Sequence, residues 1–188
     1  AMYGVLQEGS VIARADGLLR MVWASERLNL DIVTVPKETL VKIKLLTELD
    51  SSKSKVGDKV RYRVVEDVMI KDRLVIPAGT EGTGRVQEVT AAKRLGLDGR
   101  LLVDFRTLPA MDGTGVSLIM EEKATEKNKS LELAAGAGMA GVILLGPIGL
   151  AGAYFIKGKD VVITMGTEFY VEVMRDARVS GLSLMPVR

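Results

Sequence analysis

Between Leu133 and Ile156 the chain runs for 24 residues without a charged side chain. A helix of that length would be about 36 Å long, enough to cross a hydrocarbon core of roughly 30 Å. Six glycines and Pro147 interrupt the stretch, however, and both residue types are costly inside a helix in water. Small residues four apart, such as Ala134 and Gly138, would let two helices approach closely.

Three structures compete for this stretch. It can be one spanning helix, a helical hairpin broken near Gly146-Pro147, or a buried core element of a soluble domain. Proline lacks an N–H group and clashes with the preceding turn, so the single straight span is the least favoured. Each half of a hairpin has about 11 residues, or about 16 Å, which is too short to cross a bilayer. We therefore predict a Gly/Ala-rich helical hairpin insertion at 131–157, packed as core or presented to a membrane or a partner.

Nine small or apolar residues of this insertion are the candidates for membrane contact or self-association. They are Gly136, Gly138, Gly141, Val142, Leu145, Pro147, Gly149, Gly152 and Phe155.

The rest of the chain shows short strands and tight turns. Residues 41–45 and 60–64 alternate apolar and basic side chains, as half-buried strands do. Asp-Gly pairs at 16–17, 98–99 and 112–113 separate apolar runs and predict hairpins, because glycine accepts the positive φ of a tight turn. Many short strands at this spacing predict a mainly β fold, an antiparallel barrel or sandwich.

A weak internal repeat accompanies these strands. The segments VPKET (35–39), IPAGT (76–80) and ITMGT (163–167) each precede a predicted strand, which indicates a shared turn that redirects the chain. Gly82-Thr83-Gly84 lies inside a strand pattern, so a close backbone approach is favoured over a phosphate loop. The charged run 121–129 is interpreted as a solvated loop. The organisation predicted is a hairpin segment at 1–34 and a β-barrel domain at 35–188 that carries the insertion.

Composition argues against several functions. The chain has no histidine and no cysteine, which removes the usual general base, the thiolate nucleophile and the commonest transition-metal ligands. The net charge of +2 is spread along the chain, so no clustered basic footprint for nucleic acid is present. We predict no catalytic residue, metal or cofactor. The N-terminus lacks the basic start and apolar core of a signal peptide, and Ala1 before Met2 has the look of a cloning remnant.

The order of motifs resembles a known family. IPAGT (76–80), GRV (84–86), GRLLVDFRTL (99–108), an Asp-Gly turn, VSL (116–118), a charged linker, the apolar stretch and a final strand at 166–173 follow one another. This order resembles the C-terminal barrel domain of the TrbI-type outer-membrane core-complex subunit of type IV secretion systems, over about residues 35–173. The resemblance implies a β-barrel with a late helical pair that assembles with neighbours at the outer membrane. The hairpin around Asp16-Gly17 has no counterpart in that pattern.

Two functional hypotheses follow. The first is a non-catalytic structural protein of the bacterial cell envelope, on the periplasmic or outer-membrane side, whose partners are itself, other envelope proteins or the membrane. The second is a soluble module that binds a small molecule or glycan, or an enzyme using carboxylates, with the apolar stretch as core. That second hypothesis needs converging acids, for which Asp104, Asp112 and Glu172 are the candidates.

Overall fold

A computed structural model describes residues 4–6, 9–15, 18–22, 30–91, 99–135, 143–145, 153–157 and 162–183. These residues form curled antiparallel sheets that make half-barrels, with a single helix in the described part of the chain. The prediction of a mainly β fold is therefore confirmed.

Eighteen strands and one helix make up the described residues. In chain order they are β1 (Gly4–Leu6), β2 (Gly9–Ala15), β3 (Leu18–Val22), β4 (Leu30–Val35), β5 (Leu40–Leu45), β6 (Leu49–Asp50), β7 (Lys59–Val64), β8 (Val68–Ile70), β9 (Arg73–Ile76), β10 (Glu81–Thr90), β11 (Gly99–Asp104), β12 (Thr107–Pro109), β13 (Gly115–Ile119), α1 (Glu122–Ala135), β14 (Ile143–Leu145), β15 (Ala153–Lys157), β16 (Val162–Ile163), β17 (Glu168–Val173) and β18 (Ala177–Ser183).

The described strands form one large sheet and three smaller ones. The large sheet has nine strands in the order β12-β13-β17-β5-β7-β10-β11-β15-β14. A four-stranded sheet has the order β4-β18-β9-β8, β16 pairs with β6, and β1, β2 and β3 form a sheet of their own. Since β4 pairs with β18, the chain segment around residue 34 joins the second sheet. The division of the chain after residue 34 stays a prediction.

Four turns of one geometry lead into the four central strands of the large sheet, β17, β5, β7 and β10. They span 36–39, 55–58, 77–80 and 164–167, and in each the N–H of the fourth residue donates to the carbonyl of the first, at 3.1–3.2 Å. The third residue has a positive φ of 71–92° in every case. Three of these turns are the repeat seen in the sequence, whose interpretation as a redirecting turn is confirmed; the turn at 55–58 lacks its proline and threonine.

Each turn also bonds to the neighbouring strand. The N–H of Glu38 donates to Val173 and the carbonyl of Thr39 accepts from Val173, at 2.8 and 2.9 Å. The turn at 164–167 repeats these two bonds with Leu45. The turn before β5 is thus bonded to β17, and the turn before β17 is bonded to β5. In the same way the turn before β10 bonds to Val64 of β7, and the turn before β7 bonds to Val86 of β10. These hydrogen bonds therefore fix the register of β5 with β17 and of β7 with β10 at both ends of each pair.

The inner face of this sheet builds the core. Side chains of β5 and β7 alternate between buried and outward positions, as the sequence predicts. Tyr62 and Phe105 meet edge to face with ring centroids 5.6 Å apart, and the Tyr62 hydroxyl donates to the Phe105 carbonyl at 2.8 Å. Burial, with a smaller effect of the Asp104 charge, raises the pKa of Tyr62.

Two glycines of β10 allow this packing. A Cβ at Gly82 would lie 2.4 Å from the Tyr62 ring, and a Cβ at Gly84 would lie 2.3 Å from the Asp104 carbonyl oxygen. Both distances are far below contact, so the close backbone approach predicted for Gly82-Thr83-Gly84 is confirmed.

The charged run 121–129 is a helix, and its interpretation as a loop is wrong. Helix α1 begins at Glu122 and continues to Ala135. Alanine, glutamate and lysine are strong helix formers, and loop composition alone did not distinguish them from a solvated linker.

The late helical hairpin is not confirmed. After α1, the described parts of 131–157 are the strands β14 and β15, which pair antiparallel and extend the large sheet from β11. The sequence of β15, AYFIK, contains two aromatic residues and one β-branched residue and lies between Gly152 and Gly158, which favours a strand. Strand β14, ILL, contains one β-branched residue and is followed by Gly146. No helix among the described residues is long and apolar enough to span a membrane.

The Asp-Gly predictions have mixed outcomes. Strands β2 and β3 pair up to Ala15 and Leu18, and Gly113, with φ of 87°, lies in the loop between β12 and β13, so these two hairpins are confirmed. Gly99 belongs to β11, whose pairing with β10 begins at Arg100, so that connection is longer than a two-residue turn. The apolar run that follows this pair, residues 101–108, is divided into two strands at Arg106, which has a positive φ of 55°.

Glu38 is the one residue among the four third positions that is not glycine. A side chain at positive φ costs about 1–2 kcal/mol, and this strain is partly offset by the lower chain entropy of a non-glycine residue. We expect Glu38→Gly to raise the free energy of unfolding by about 0.5 kcal/mol. Its ion pair with Lys123, 3.4 Å long and exposed, contributes little.

Gly166→Ala is the matched control, because its Cβ would meet nothing within 4 Å and only the backbone strain changes. Urea unfolding should give a loss of about 1 kcal/mol for that variant. Equal signs for the two substitutions would contradict the shared turn geometry.

Candidate functional site

The N-terminus of helix α1 is bound by a buried carboxylate of the large sheet. Glu172, on β17, is 1% exposed. Its Oε1 accepts hydrogen bonds from the N–H groups of Glu121 and Ala124, at 3.0 and 3.1 Å. The first N–H groups of a helix have no partner inside the helix, and negative charge is favoured there. Glu172 therefore caps α1 from 51 residues away in the chain.

The middle of α1 is joined to the same strand by Asn128. Its Nδ2 donates to the Tyr170 carbonyl at 2.9 Å, and its Oδ1 accepts from the Tyr170 N–H at 2.7 Å. Both backbone groups of Tyr170 are thus satisfied by one side-chain amide. The Nζ of Lys127 lies 5.6 Å from the centre of the Tyr170 ring on the same side of the helix.

The first nine residues of α1 bury little apolar surface. Along Glu122–Ser130, only Ala124 and Asn128 are buried, and the other side chains are half-buried or exposed. Burial of one alanine methyl group stabilises by less than about 1 kcal/mol. The described contacts that hold α1 on β17 are therefore chiefly polar.

The apolar stretch begins within α1 and contains the strands β14 and β15 of the large sheet. Phe155 lies in β15, paired with Leu101 of β11 on one side and Leu144 of β14 on the other. Leu145 lies in β14, opposite Tyr154. The other seven candidate residues, Gly136, Gly138, Gly141, Val142, Pro147, Gly149 and Gly152, lie outside the described residues.

The two edges of the large sheet differ. At one edge, β12 contains Pro109, which cannot donate to an added strand. At the other end of the described sheet, β14 consists of Ile143, Leu144 and Leu145. Natural sheets protect their edges with very short strands, charges, prolines or bulges, because a bare edge accepts further strands. Strand β14 is short but carries neither a charge nor a proline.

The outer face of the central strands carries a neutralised row of charges. Glu168, Lys44, Arg63 and Glu81 lie opposite one another across four strands. The Nη2 of Arg63 is 2.7 Å from a Glu81 oxygen, and this hydrogen bond lowers the pKa of Glu81. The two cations, Lys44 and Arg63, are opposite each other, and each has a glutamate on its other side. The row therefore has little net charge to attract a ligand.

The three acids of the carboxylate hypothesis serve separate structural roles. Asp104 accepts from the N–H of Arg106 at 2.8 Å, and Asp112 accepts from the N–H groups of Thr114 and Ser180, both at 2.9 Å. Glu172 caps α1. Each carboxylate is bound to backbone at a different turn or helix end, and among the described residues no three potential metal ligands lie together. This arrangement gives no support to a catalytic pair.

Sequence reasoning named Glu172 only as a candidate acid, and it missed Asn128. In the sequence, Glu172 lies between Val171 and Val173, and this alternation indicates an acid on the outward face of a strand. Its burial comes from α1, whose position depends on the tertiary structure. Asn128 gave no signal, because an asparagine in a charged run is typical of a solvated loop.

The chain is similar to ComB10 of the Com type IV secretion system of Helicobacter pylori, with 15% identity, a TM-score of 0.42, and coverage of 76% of this chain and 88% of that one. No family model and no curated protein sequence matches the chain.

The cap is tested by Glu172→Ala. It removes the acceptor of two backbone N–H groups at a buried position, so we expect a loss of about 1–3 kcal/mol in the free energy of unfolding. Amide exchange at Ala124 should accelerate. Glu172→Gln keeps one acceptor oxygen and should lose less.

The control is Glu168→Ala on the same strand, whose exposed ion pairs with Lys42 and Lys44 are both 3.8 Å long. That change should stay within about 0.5 kcal/mol. An equal loss for Glu168→Ala and Glu172→Ala would contradict the capping role.

Asp112 gives a prediction on pH. Partial burial acts against its charge, but the hydrogen bonds from Ser180 and Thr114 outweigh this effect, so the pKa of Asp112 is lowered. A lowered pKa in the folded state stabilises above the unfolded value, near 3.9, and this contribution disappears as the pH falls through the folded pKa. We expect Asp112→Asn to lose about 1 kcal/mol at pH 7, after allowance for solvent screening, and much less at pH 2. Urea unfolding at both pH values measures the difference; a loss that is equal at pH 7 and pH 2 would contradict it.

Proposed function

We propose that this chain is a non-catalytic assembly protein of a bacterial cell envelope. Its β scaffold presents the uncharged segment 133–156 to another copy of the chain, to other envelope proteins or to a membrane. The observation that supports this most is β14: an apolar strand with no charge and no proline, at the outer edge of the described large sheet. A strand edge without charge or proline favours the addition of further strands.

The scaffold holds the segment at both ends. Before it, α1 is joined to β17 through Glu172 and Asn128. After it, β15 pairs with β11 over five residues. These attachment strands, β17 and β15, are five strand spacings apart in the sheet order, or about 24 Å along the sheet. The segment is therefore tied to a rigid support and not to a terminal tail.

The envelope setting rests on the order of motifs shared with the TrbI-type subunit. ComB10, the similar solved structure, is itself a component of a type IV secretion system. We infer a periplasmic or outer-membrane-side location from the family resemblance. The nine small and apolar residues named from the sequence are part of this proposal, as is the β-barrel domain at 35–188.

Leu144→Lys tests the proposal. Residue 144 is the middle position of β14, and a lysine there places a charge on the edge strand. We expect the parent chain to form defined oligomers or to float with liposomes, and the variant to stay monomeric and sediment. Light scattering and liposome flotation measure both. A point substitution is preferable to deletion of 133–156, which would also remove β14 and most of β15 from the sheet.

Met165→Lys is the matched control. Met165 is an apolar side chain, 68% exposed, in the turn before β17 and away from β14. The same change of residue type at this position should leave assembly and flotation unaltered. A parent chain that is monomeric and does not float would contradict the proposal. An equal loss of assembly or flotation in both variants, with the fold unchanged, would also contradict it.

A further inference from the structure

One arrangement of four strands occurs twice in the described core. The continuous unit is residues 55–86, with strands β7, β8, β9 and β10. The split unit combines residues 30–45 with residues 164–183 and contains β4, β5, β17 and β18. Residue 36 of the split unit corresponds to residue 77, and residue 173 corresponds to residue 64. Strand β5 then matches β10, β17 matches β7, β4 matches β9 and β18 matches β8.

The strand pairing of the two units agrees residue by residue. In the large sheet, the five pairs run from Glu168 with Lys44 to Glu172 with Leu40 in the split unit, and from Lys59 with Arg85 to Arg63 with Glu81 in the continuous unit. In the four-stranded sheet, Ala177 opposite Val35 corresponds to Val68 opposite Ile76. The agreement therefore covers two sheets and extends beyond the four turns.

A matched aspartate lies in each unit where the chain passes from the large sheet to the four-stranded sheet. Asp176 accepts a hydrogen bond from the Lys37 N–H, and Asp67 accepts one from the Ala78 N–H, both at 2.7 Å. In both units the threonine that ends the turn donates its hydroxyl to the carbonyl of the proline three residues earlier, also at 2.7 Å. The two units thus share side-chain hydrogen bonds as well as backbone geometry.

The two units join through β5 and β7. Lys44 of the split unit lies opposite Arg63 of the continuous unit in this pairing. Beyond the paired residues, the carbonyl of Arg61 accepts from the Leu46 N–H at 2.9 Å. The N–H of Arg61 donates to the Thr47 hydroxyl at 3.1 Å. Both backbone groups of Arg61 are therefore bound by the residues that follow β5.

At the free end of the split unit, β13 and Asn128 reproduce this junction. Tyr170 of β17 corresponds to Arg61 of β7. Strand β13 pairs with the end of β17 at the positions that β5 occupies beside β7. The chain then turns into α1, and Asn128 accepts from the Tyr170 N–H and donates to the Tyr170 carbonyl. These are the two groups that Leu46 and Thr47 bind at the junction between the units.

We infer that the core is a tandem of two equivalent units, and that β13 and Asn128 close its free end by taking the place that β5 has between the units. Elements of this kind end an array of repeated units because they satisfy the exposed side of the last one. The equivalence does not depend on the proposed function, but it restricts the assembly. The chain's own residues bind the backbone of β17 on this side, so a strand from another copy has to be added elsewhere.

Reciprocal exchange of core residues tests the equivalence. Tyr62 opposite Gly82 in the continuous unit corresponds to Val171 opposite Val41 in the split unit. The two pairs have similar total side-chain volume, and volume-conserving exchanges are tolerated best in a core. We expect Gly82→Val to lower the folding equilibrium constant on the order of 100-fold, because its Cβ would lie 2.4 Å from the Tyr62 ring.

The paired change should cost less than its parts. We expect Tyr62→Val with Gly82→Val to be on the order of tenfold more stable than the two single losses added together. In the split unit, Val171→Tyr with Val41→Gly should show coupling of the same sign, because a tyrosine at 171 needs the space that Gly82 leaves in the other unit. Urea unfolding measures both cycles. If Gly82→Val alone does not fold, a cooperative transition in the paired variant gives the same result, and its absence counts against the equivalence.

Gly84→Val is the matched control. A Cβ at this position would lie 2.3 Å from the Asp104 carbonyl oxygen and not against the Tyr62 ring. Its loss should therefore add to that of Tyr62→Val within about twofold in the equilibrium constant.

Amide exchange tests the closed end. Asn128→Ala removes both bonds to Tyr170, and Thr47→Val removes the acceptor of the Arg61 N–H. We expect each substitution to accelerate exchange of its own amide on the order of tenfold and to leave the other amide within about twofold. Asn128→Asp keeps an acceptor for the Tyr170 N–H and should retain more of its protection.

The outcomes separate the two parts. Coupling in the continuous unit alone would reflect only the contact between Tyr62 and Gly82 and would overturn the equivalence. Unchanged exchange of the Tyr170 amide in Asn128→Ala would overturn the closed end. Coupling in both units, together with selective effects on the two amides, supports the tandem. None of these measurements involves assembly, so a failure of the proposed function, seen with Leu144→Lys, stays distinguishable.

Discussion

The reciprocal hydrogen bonds between turns and strands organise the large sheet. In each of the four turns, the third residue donates to a neighbouring strand and the fourth accepts from the same strand residue, so β5 with β17 and β7 with β10 are closed at both ends. This arrangement requires a positive φ at one position in every turn, which explains three of the glycines. With the register held in this way, Tyr62, Phe105 and Phe169 meet in one core, and the outward side chains align in a neutral row of charges. A shift of one residue in the strand register would move the core side chains to the outer face and the charged side chains to the inner face.

The joint between α1 and β17 depends on that register. Glu172 and Tyr170 are two residues apart on an outward-facing row, and α1 places Ala124 and Asn128, one helical turn apart, over them. Polar bonds supply most of the described attachment, which gives it direction but limited strength. These directional bonds fix where α1 begins and which of its faces lies on β17, and so they position the segment that follows the helix.

The assembly proposal depends on the free-energy cost of leaving backbone hydrogen-bonding groups of a strand edge unpaired. At β17, Asn128 binds the backbone groups of Tyr170 within the chain. At β14 the residues Ile143, Leu144 and Leu145 supply neither a charge nor a proline to oppose addition of a strand.

The sequence by itself determined the strands and the turns, because alternation of side chains and the demand for a positive φ are local properties. The class of fold, the strands at 40–45 and 59–64, the repeated turns and the close approach at Gly82 and Gly84 were all predictable. Only the tertiary structure decided the charged run 121–129 and the stretch 131–157. Helix α1 is capped by a residue 51 positions away, β15 pairs with β11, and β14 pairs with β15. Local composition was compatible with these elements, but it did not distinguish the helix from a solvated loop or the strands from a helical hairpin, and contacts with distant parts of the chain decided between them.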